Sequence, residues 1–434
     1  MIRTQAILLK NGRIIDPANR VDKKASLLVE KGKIQAIFTP RQKTPSLPKK
    51  LQSIDLRGKW IVPGLIDMHV HLREPGEEYK ETIETGTRAA AAGGFTAVAC
   101  MPNTTPVNDC QPVTRLILEK AENAYARVYP VGAISKGLQG ESLAEFGEMK
   151  QAGAVAVTDD GKPVTDSQLM RRALEYASSH NVMVISHSED YSLSRNGAIN
   201  EGFVSTSMGL KGIPHIAEEI MVYRDLALAE YTGCPLHLAH ISTQESINLI
   251  RLAKQKGSPV TAETGPHYFS LTEKDVKDYN TNAKMNPPLR TQKDLEAVIE
   301  AISDGTIDVI ATDHAPHSIL EKDIEFDQAA NGIIGLETAV PLALALFRKG
   351  YINAARLVEL LSTNPAKILG VKGGSLEIGS DADIAVIDPE HSFVLHEKDI
   401  VSKSKNSPFI GVKLQGKALL TICGGRITHN AISD

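Results

Sequence analysis

The sequence predicts an α/β protein: a (β/α)8 TIM-type barrel carrying a small β-sandwich domain built from both termini. Three observations predict it. Between Trp60 and about Gly370, β-type apolar runs alternate with amphipathic helical stretches, the pattern of βα units on a parallel sheet. Eight such runs can be counted, the number that closes a barrel over about 250 residues or more. Outside that span, short apolar runs and turn residues occur at both ends, so the ends are expected to form one module around a different middle. The division expected is 1–60 with 371–434 for the composite module and 61–370 for the barrel. A doubly wound open sheet is the alternative.

In chain order, the opening apolar run is too short for a signal-peptide core, and with Asn11-Gly12 it reads as a strand and turn. Hairpin grammar continues through Ala25-Ser26-Leu27-Leu28-Val29 and Lys33-Ile34-Gln35-Ala36-Ile37, and returns in Ala382-Asp383-Ile384-Ala385-Val386 and Leu419-Leu420-Thr421-Ile422-Cys423. The run 60–66 reads as a buried strand leading into Asp67-Met68-His69-Val70-His71. Further strands are expected at 95–100, 128–134, 154–157, 182–186, 235–239, 259–262 and 307–311, with helices at 82–92, 143–152, 166–179, 244–256 and 294–303. Leu169, Ala173, Leu174 and Ala177 show the spacing that packs one helical face on a sheet.

Composition narrows the function classes. With 48 Lys+Arg against 52 Asp+Glu and no long basic run, neither a nucleic-acid nor an anionic-membrane surface is expected. No apolar stretch approaches a membrane span. Four cysteines without a Cys-x-x-Cys pair argue against a disulfide framework or a zinc knuckle. A small-molecule partner and a cytoplasmic location are the expectations.

The strand ends carry the chemistry. In a barrel the active site sits at the carboxyl ends of the strands. After the first run stand His69 and His71, which share one face if the strand stays extended. Met101-Pro102-Asn103 follows the second, Thr158-Asp159-Asp160-Gly161 the fourth and His187 the fifth; His240 follows the sixth and Asp313-His314-Ala315-Pro316-His317 the eighth. One histidine at such a place is ordinarily a hydrogen-bonded structural residue; six polar strand ends together are not explained that way. Four histidines and two aspartates make a site for one or two divalent metals, zinc first among them. Two cations held close need an anionic bridge, for which Asp160 is the candidate, and Asp313 is placed to accept a proton from the attacking water and pass it to a leaving nitrogen. This describes hydrolysis of an amide-like bond.

The segments His69-Val70-His71-Leu72-Arg73-Glu74-Pro75-Gly76, Met101-Pro102-Asn103-Thr104, Thr158-Asp159-Asp160-Gly161, His240-Ile241-Ser242-Thr243, Lys284-Met285-Asn286-Pro287-Pro288-Leu289-Arg290 and Ala311-Thr312-Asp313-His314-Ala315-Pro316-His317 together resemble the bacterial long-chain (class I) dihydroorotases of the amidohydrolase superfamily. The resemblance runs from about residue 5 to 430, with all six motifs in family order. It implies a barrel with a composite β-domain, one or two Zn2+ ions with two favoured, and reversible interconversion of dihydroorotate and N-carbamoyl-aspartate in pyrimidine synthesis. It also implies that His69, His71, Asp313 and bridging Asp160 bind the first metal, that His187 and His240 bind the second, and that Asp313 is the catalytic acid/base. Arg73 and Asn103 would grip the substrate carboxylate, and Asn286, His317, Asn331 and Gly332 would supply further substrate contacts. A homodimer is implied, with association with aspartate transcarbamoylase allowed.

Two departures stand out. The family often has Cys where Ser188 stands, and Pro-Phe or Pro-Asn where Ala330-Asn331 precede Gly332. The polar segment 318–331 reads either as a lid that excludes water or as a solvated loop. His267, after the seventh strand, is expected to make a structural hydrogen bond, and Cys100 to be a buried small hydrophobe. Hydantoinases, dihydropyrimidinases and allantoinases are the nearest rival class; they typically bridge their metals with a carboxylated lysine on the fourth strand, where this sequence has Asp160. A non-catalytic scaffold is the rival of a different kind, and the presence of all six candidate ligands argues against it.

Overall fold

The computed structural model describes residues 6–39, 42 and 47–432; residues 1–5, which the sequence reading joins to the first strand, lie outside them. Eight parallel strands follow one another in one sheet: Leu65–Val70, Phe95–Cys100, Arg127–Gly132, Ala156–Val157, Met183–Ser186, Leu236–Leu238, Val260–Thr264 and Val309–Ile310. Past the two outermost strands, Val70 bridges His314 in parallel and the His71 amide donates to the His314 carbonyl at 2.8 Å. First and last strands therefore meet, and the sheet is a nearly closed (β/α)8 barrel rather than an open one.

The helices begin where side-chain oxygens can take up unpaired amides. Thr82 accepts from the Thr85 amide, Asp166 from Leu169, Thr243 from Ser246 and Thr291 from Asp294, at the heads of Ile83–Ala92, Ser167–Ser179, Gln244–Gln255 and Gln292–Asp304. Ser167–Ser179 buries Met170, Ala173, Leu174 and Ala177 against the barrel. Gln111–Lys120, Ile216–Thr232 and Ala339–Arg348 are helices that the sequence reading did not assign.

The run 60–66 is not one strand. Trp60–Pro63 belongs to the sheet of the other module, and Leu65–Val70 opens the barrel. Gly64 makes the crossing: a Cβ there would stand 2.1 Å from Thr96 Oγ1, so only glycine lets the chain pass that close. Nor is Asn11-Gly12 a turn. Ala6–Asp16 is a single strand with a bulge between Leu9 and Gly12, and Asn11 takes the irregularity at φ 63°.

The chain ends build a separate β-sheet domain, hydrogen-bonded as one eight-stranded sheet. Arg426–Asn430, Lys413–Cys423, Ile384–Val394, Trp60–Pro63, Ala6–Asp16, Val21–Glu30 and Lys33–Phe38 follow in order, and Leu51–Asp55 also pairs with Ala6–Asp16. The termini meet on Trp60–Pro63, where Ile61 pairs with Ile14 on one side and Val386 on the other. Leu9, Ile14, Leu27 and Ile34 share a buried core with Ile384, Val386, Leu420 and Ile422. Apolar area removed from water by residues from both ends thus holds the module together.

Candidate metal centre

His69 lies in the first barrel strand, and His71, Asp160, His187, His240 and Asp313 follow the ends of the first, fourth, fifth, sixth and eighth. The barrel brings all six together. Nε2 of His69 and Nε2 of His71 lie 3.4 Å from Oδ1 and Oδ2 of Asp160, respectively. Nδ1 of His187 and Nε2 of His240 approach Asp160 Oδ1 at 3.3 and 3.5 Å. Asp313 Oδ1 stands 3.1 Å from His71 Nε2 and 3.6 Å from His69 Nε2. Two metal-capable groups result, His69 with His71 and Asp160, and Asp160 with His187 and His240; within each, the ligand atoms lie within 4.8 Å of one another. Asp160 belongs to both.

The outer nitrogens fix which lone pairs face inward. His69 Nδ1 lies 2.7 Å from Glu263 Oε1, His71 Nδ1 is 2.9 Å from Asn103 Oδ1, and His187 Nε2 is 2.9 Å from Glu189 Oε2. Each partner is an acceptor, so each imidazole carries its proton outward and turns its other nitrogen toward Asp160. Inside the cluster, His69 Nε2 and Asp160 Oδ1 are buried without hydrogen-bond partners, and His187 Nδ1 and His240 Nε2 face each other at 2.7 Å. Nitrogens and carboxylate oxygens converging unsatisfied on one buried space are the donor set that a divalent cation fits. Electrostatics agree: burial works against every charge here, yet His69, His187 and His240 pull Asp160 well below the usual carboxylate range, and Asp160 and Glu189 push His187 up to about 10. This cluster of carboxylates is suited to positive charge.

His240 and Asp313 adopt φ 36° and 49°, and Arg73 φ 63°. Three side chains with candidate roles thus sit in the left-handed region that non-glycine residues rarely occupy, a cost of order 1–3 kcal/mol each that surrounding packing must offset.

One cavity gathers the remaining candidates. Arg73, Asn103, Asn286, His317, Asn331 and Gly332 line it together with His71, Asp160, His187, His240 and Asp313. Arg73 is 8% exposed; its Nε donates to the Pro316 carbonyl at 3.1 Å and Nη2 lies 3.2 Å from His317 Nε2. His317 Nε2 is 2.8 Å from the Asn331 carbonyl, and Asn286 Nδ2 donates to Glu189 at 3.0 Å. Gly332 holds φ 126°, and a Cβ there would come within 2.6 Å of the Ala315 Cβ.

Sequence reasoning missed Glu263 and Glu189 as the partners that orient His69 and His187. Glu189 could have been found two residues past His187, but nothing near Glu263 in the sequence points to His69. Ser188 turns from the cluster toward Asp225, 3.4 Å away. Nε2 of His267 is buried without a partner, so the structural hydrogen bond expected of it is not made there, and burial lowers its pKa to about 4. Cys100 is buried as expected, its thiol pushed up to about 12. Lys162, the lysine two positions past Asp160, is exposed and does not line the cavity.

The comparisons agree with this geometry. Residues 58–246 match the Dihydro-orotase-like family model. The Dihydroorotase of Desulfotalea psychrophila is 61% identical over 425 residues, 98% of this chain and 99% of that one. That of Syntrophotalea carbinolica is 56% identical over 429 residues, 99% and 100%. Among solved structures, L-Hydantoinase (Dihydropyrimidinase) from Arthrobacter aurescens superposes with a TM-score of 0.87 at 25% identity, over 99% of this chain and 97% of that one. Dihydropyrimidinase from Brevibacillus agri NCHU1002 does so at 0.85 and 22%, over 98% and 95%, a likeness of fold. With its sequence matched nearly end to end at such identity, and with a cluster of histidines and aspartates built for metal at the mouth of its barrel, the chain belongs to the dihydroorotase family of amidohydrolases.

Proposed function

We propose that the protein is a dihydroorotase, catalysing reversible zinc-dependent hydrolysis of the cyclic amide of (S)-dihydroorotate to N-carbamoyl-L-aspartate on the route to UMP. The observation that carries this reading is a buried arginine, Arg73, on the wall of the same cavity that His71, His187, His240 and Asp160 line. A metal cluster faced by a fixed cation suits a cyclic amide that carries a carboxylate.

In this reading His69, His71 and Asp313 would hold one zinc ion and His187 and His240 a second, with Asp160 the residue common to both. When bound, the metal supplies Lewis acidity and a nucleophile at neutral pH. Arg73 binds the substrate carboxylate with its guanidinium group. Asn103 adds its amide nitrogen, since its oxygen is engaged by His71. Asn286, His317 and the main chain at Asn331 and Gly332 border the rest of the ring. Burial opposes ionisation of Asp313, but His69 and His71 hold it below the usual carboxylate range, so it enters the reaction as a base. It accepts the proton of the attacking water and delivers it to the ring nitrogen as the C–N bond breaks; in the reverse direction it works in the opposite sense.

The chain is proposed to act in the cytoplasm, where four unpaired cysteines are at home, as a homodimer able to associate with aspartate transcarbamoylase. Its proposed division is 1–60 with 371–434 against 61–370.

A hydantoinase is the second reading, favoured by the solved structures of similar fold; Asp160 in place of a bridging lysine argues against it. Ring opening of dihydroorotate by the purified protein, followed by loss of ultraviolet absorbance before and after chelation and zinc restoration, tests the proposal, with hydantoin beside it. Zinc-dependent turnover of dihydroorotate alone is expected. Turnover of hydantoin alone would transfer the chain's activity to the second reading.

A further inference from the structure

The segment between Asp327 and Gly332 has neither helix nor strand, yet side chains from elsewhere take up its carbonyls one after another. Lys284 Nζ donates to the carbonyls of Asp327 and Ala329 at 2.9 and 2.7 Å. Lys322, in the short helix Ile319–Lys322, donates to those of Ala330 and Gly332 at 2.7 and 3.1 Å, and to that of Lys284 at 3.3 Å. His317 lies 2.8 Å from the Asn331 carbonyl, and Asn406 Nδ2 gives Gly332 a second bond at 3.1 Å. Lys322 and Lys284 are only 3% and 4% exposed. The adjacent Glu321 is turned away, to Lys80, Tyr79 and Ser318. Two ammonium groups are thus buried together and spend their protons on main-chain oxygens, an expensive placement that a hydrophobic residue of similar length would avoid.

We propose that Lys322 and Lys284 are positioning residues for substrate: a double ammonium clasp that holds the Asp327–Gly332 main chain in the shape that borders the cavity at Asn331 and Gly332. The part that concerns substrate rests on the dihydroorotase reading. The clasp itself does not, because its bonds belong to the protein alone. With the carbonyls drawn outward to the lysines, the segment is latched without any regular structure of its own, and its shape depends on the ammonium charge. Charged and titratable groups around Lys322 are Lys284, His317 and Glu321. Burial, reinforced by Lys284, lowers Lys322 to about 7, and burial lowers Lys284 as well. His317 is kept neutral by burial and by Arg73, Lys80 and Lys322, which lower it to about 2. Lys322 is therefore the group whose proton is lost first as pH rises.

Two readouts test this. The first is hydrogen exchange of the 327–332 amides, corrected for intrinsic rate, in zinc-loaded wild type, Lys322→Met and Lys284→Met at pH 6. Protection is expected to fall about tenfold in both variants. The second is steady-state kinetics with dihydroorotate: about a tenfold rise in KM with kcat changed less than about twofold and zinc content unchanged. Lys322→Arg, which keeps the charge and the donors, should lie closer to the wild-type KM than Lys322→Met does. Unchanged protection in both variants would overturn the clasp, even if the protein turned over no dihydroorotate. Lost protection with unchanged KM would overturn its role in positioning substrate.

Discussion

Glu263 and His69 meet through a contact of 2.7 Å although 194 residues separate them in the chain. The other oxygen of Glu263 lies 3.3 Å from Nε2 of His237, whose Nδ1 is 2.8 Å from Thr261 Oγ1. Burial opposes its charge, but His69 and His237 hold Glu263 down to about 2, so His69 Nδ1 always faces an acceptor and Nε2 is the nitrogen turned to Asp160. Glu263→Gln should therefore weaken metal binding by about 10- to 100-fold with little change in fold. Competition against a chelator of known affinity measures it, and unaltered affinity would remove Glu263 from the metal's support.

Asp160 is the only residue common to both metal-capable groups among the described residues. Asp160→Asn removes the charge while keeping the shape. We expect turnover to fall by about three orders of magnitude, with less metal retained after gel filtration. Near-normal turnover at full metal content would contradict its place between the two pairs.

Arg73 offers charge where Asp160 offers ligation, so the two variants should separate. A charge-assisted hydrogen bond contributes about 1.5–3 kcal/mol, and Arg73→Ala should accordingly raise KM for dihydroorotate about 100-fold while metal content stays constant. Metal analysis beside steady-state kinetics distinguishes this from a collapsed site, which would lose both.

Lys322 gives the folded protein a pH dependence of a predictable sign. Its pKa falls from 10.5 to about 7 on folding, so between those values the unfolded chain holds a proton that the native chain has released. Stability then rises with pH across that window. In denaturant titrations at pH 7 and pH 9.5, the unfolding free energy of wild type should gain relative to Lys322→Met at the higher pH. A constant difference would mean that Lys322 titrates normally.

Metal removal should lower the thermal midpoint in proportion to the logarithm of free zinc when zinc is restored, because only the folded chain gathers the six ligands. Calorimetry of the chelated protein at several zinc concentrations checks this. A midpoint indifferent to zinc would show that the ligand cluster forms without binding it.

Much of this architecture was legible because it depends on local pattern. The strands that reappear near 95–100 and 182–186 are short, apolar and bounded by turn residues, and the strand ends carry their ligands in consecutive positions such as His69 and His71. What escaped depends on contacts distant in sequence. Ile216–Thr232 exposes Ile216, Ile220, Tyr223 and Tyr231 while burying Met221, Val222 and Leu226, so no single apolar stripe announces a helix. Ala339–Arg348 is apolar almost throughout and contains Pro341. The crossing at Gly64 is dictated by the nearness of Thr96, and the orientation of His69 by Glu263 on the seventh barrel strand; neither leaves a mark on neighbouring residues.

The position of Trp60–Pro63 between strands from the two chain ends has a consequence for the order of events on the ribosome. Ile61 can pair with Ile14 as soon as both have emerged, but its other edge waits for Val386. At about 5–20 residues per second, that edge stays open for roughly 15–65 s while the whole barrel is synthesised. During that interval an apolar strand with unpaired amides is presented to every other nascent chain nearby. The late closure of this seam therefore lies only four residues ahead of the strand that carries His69.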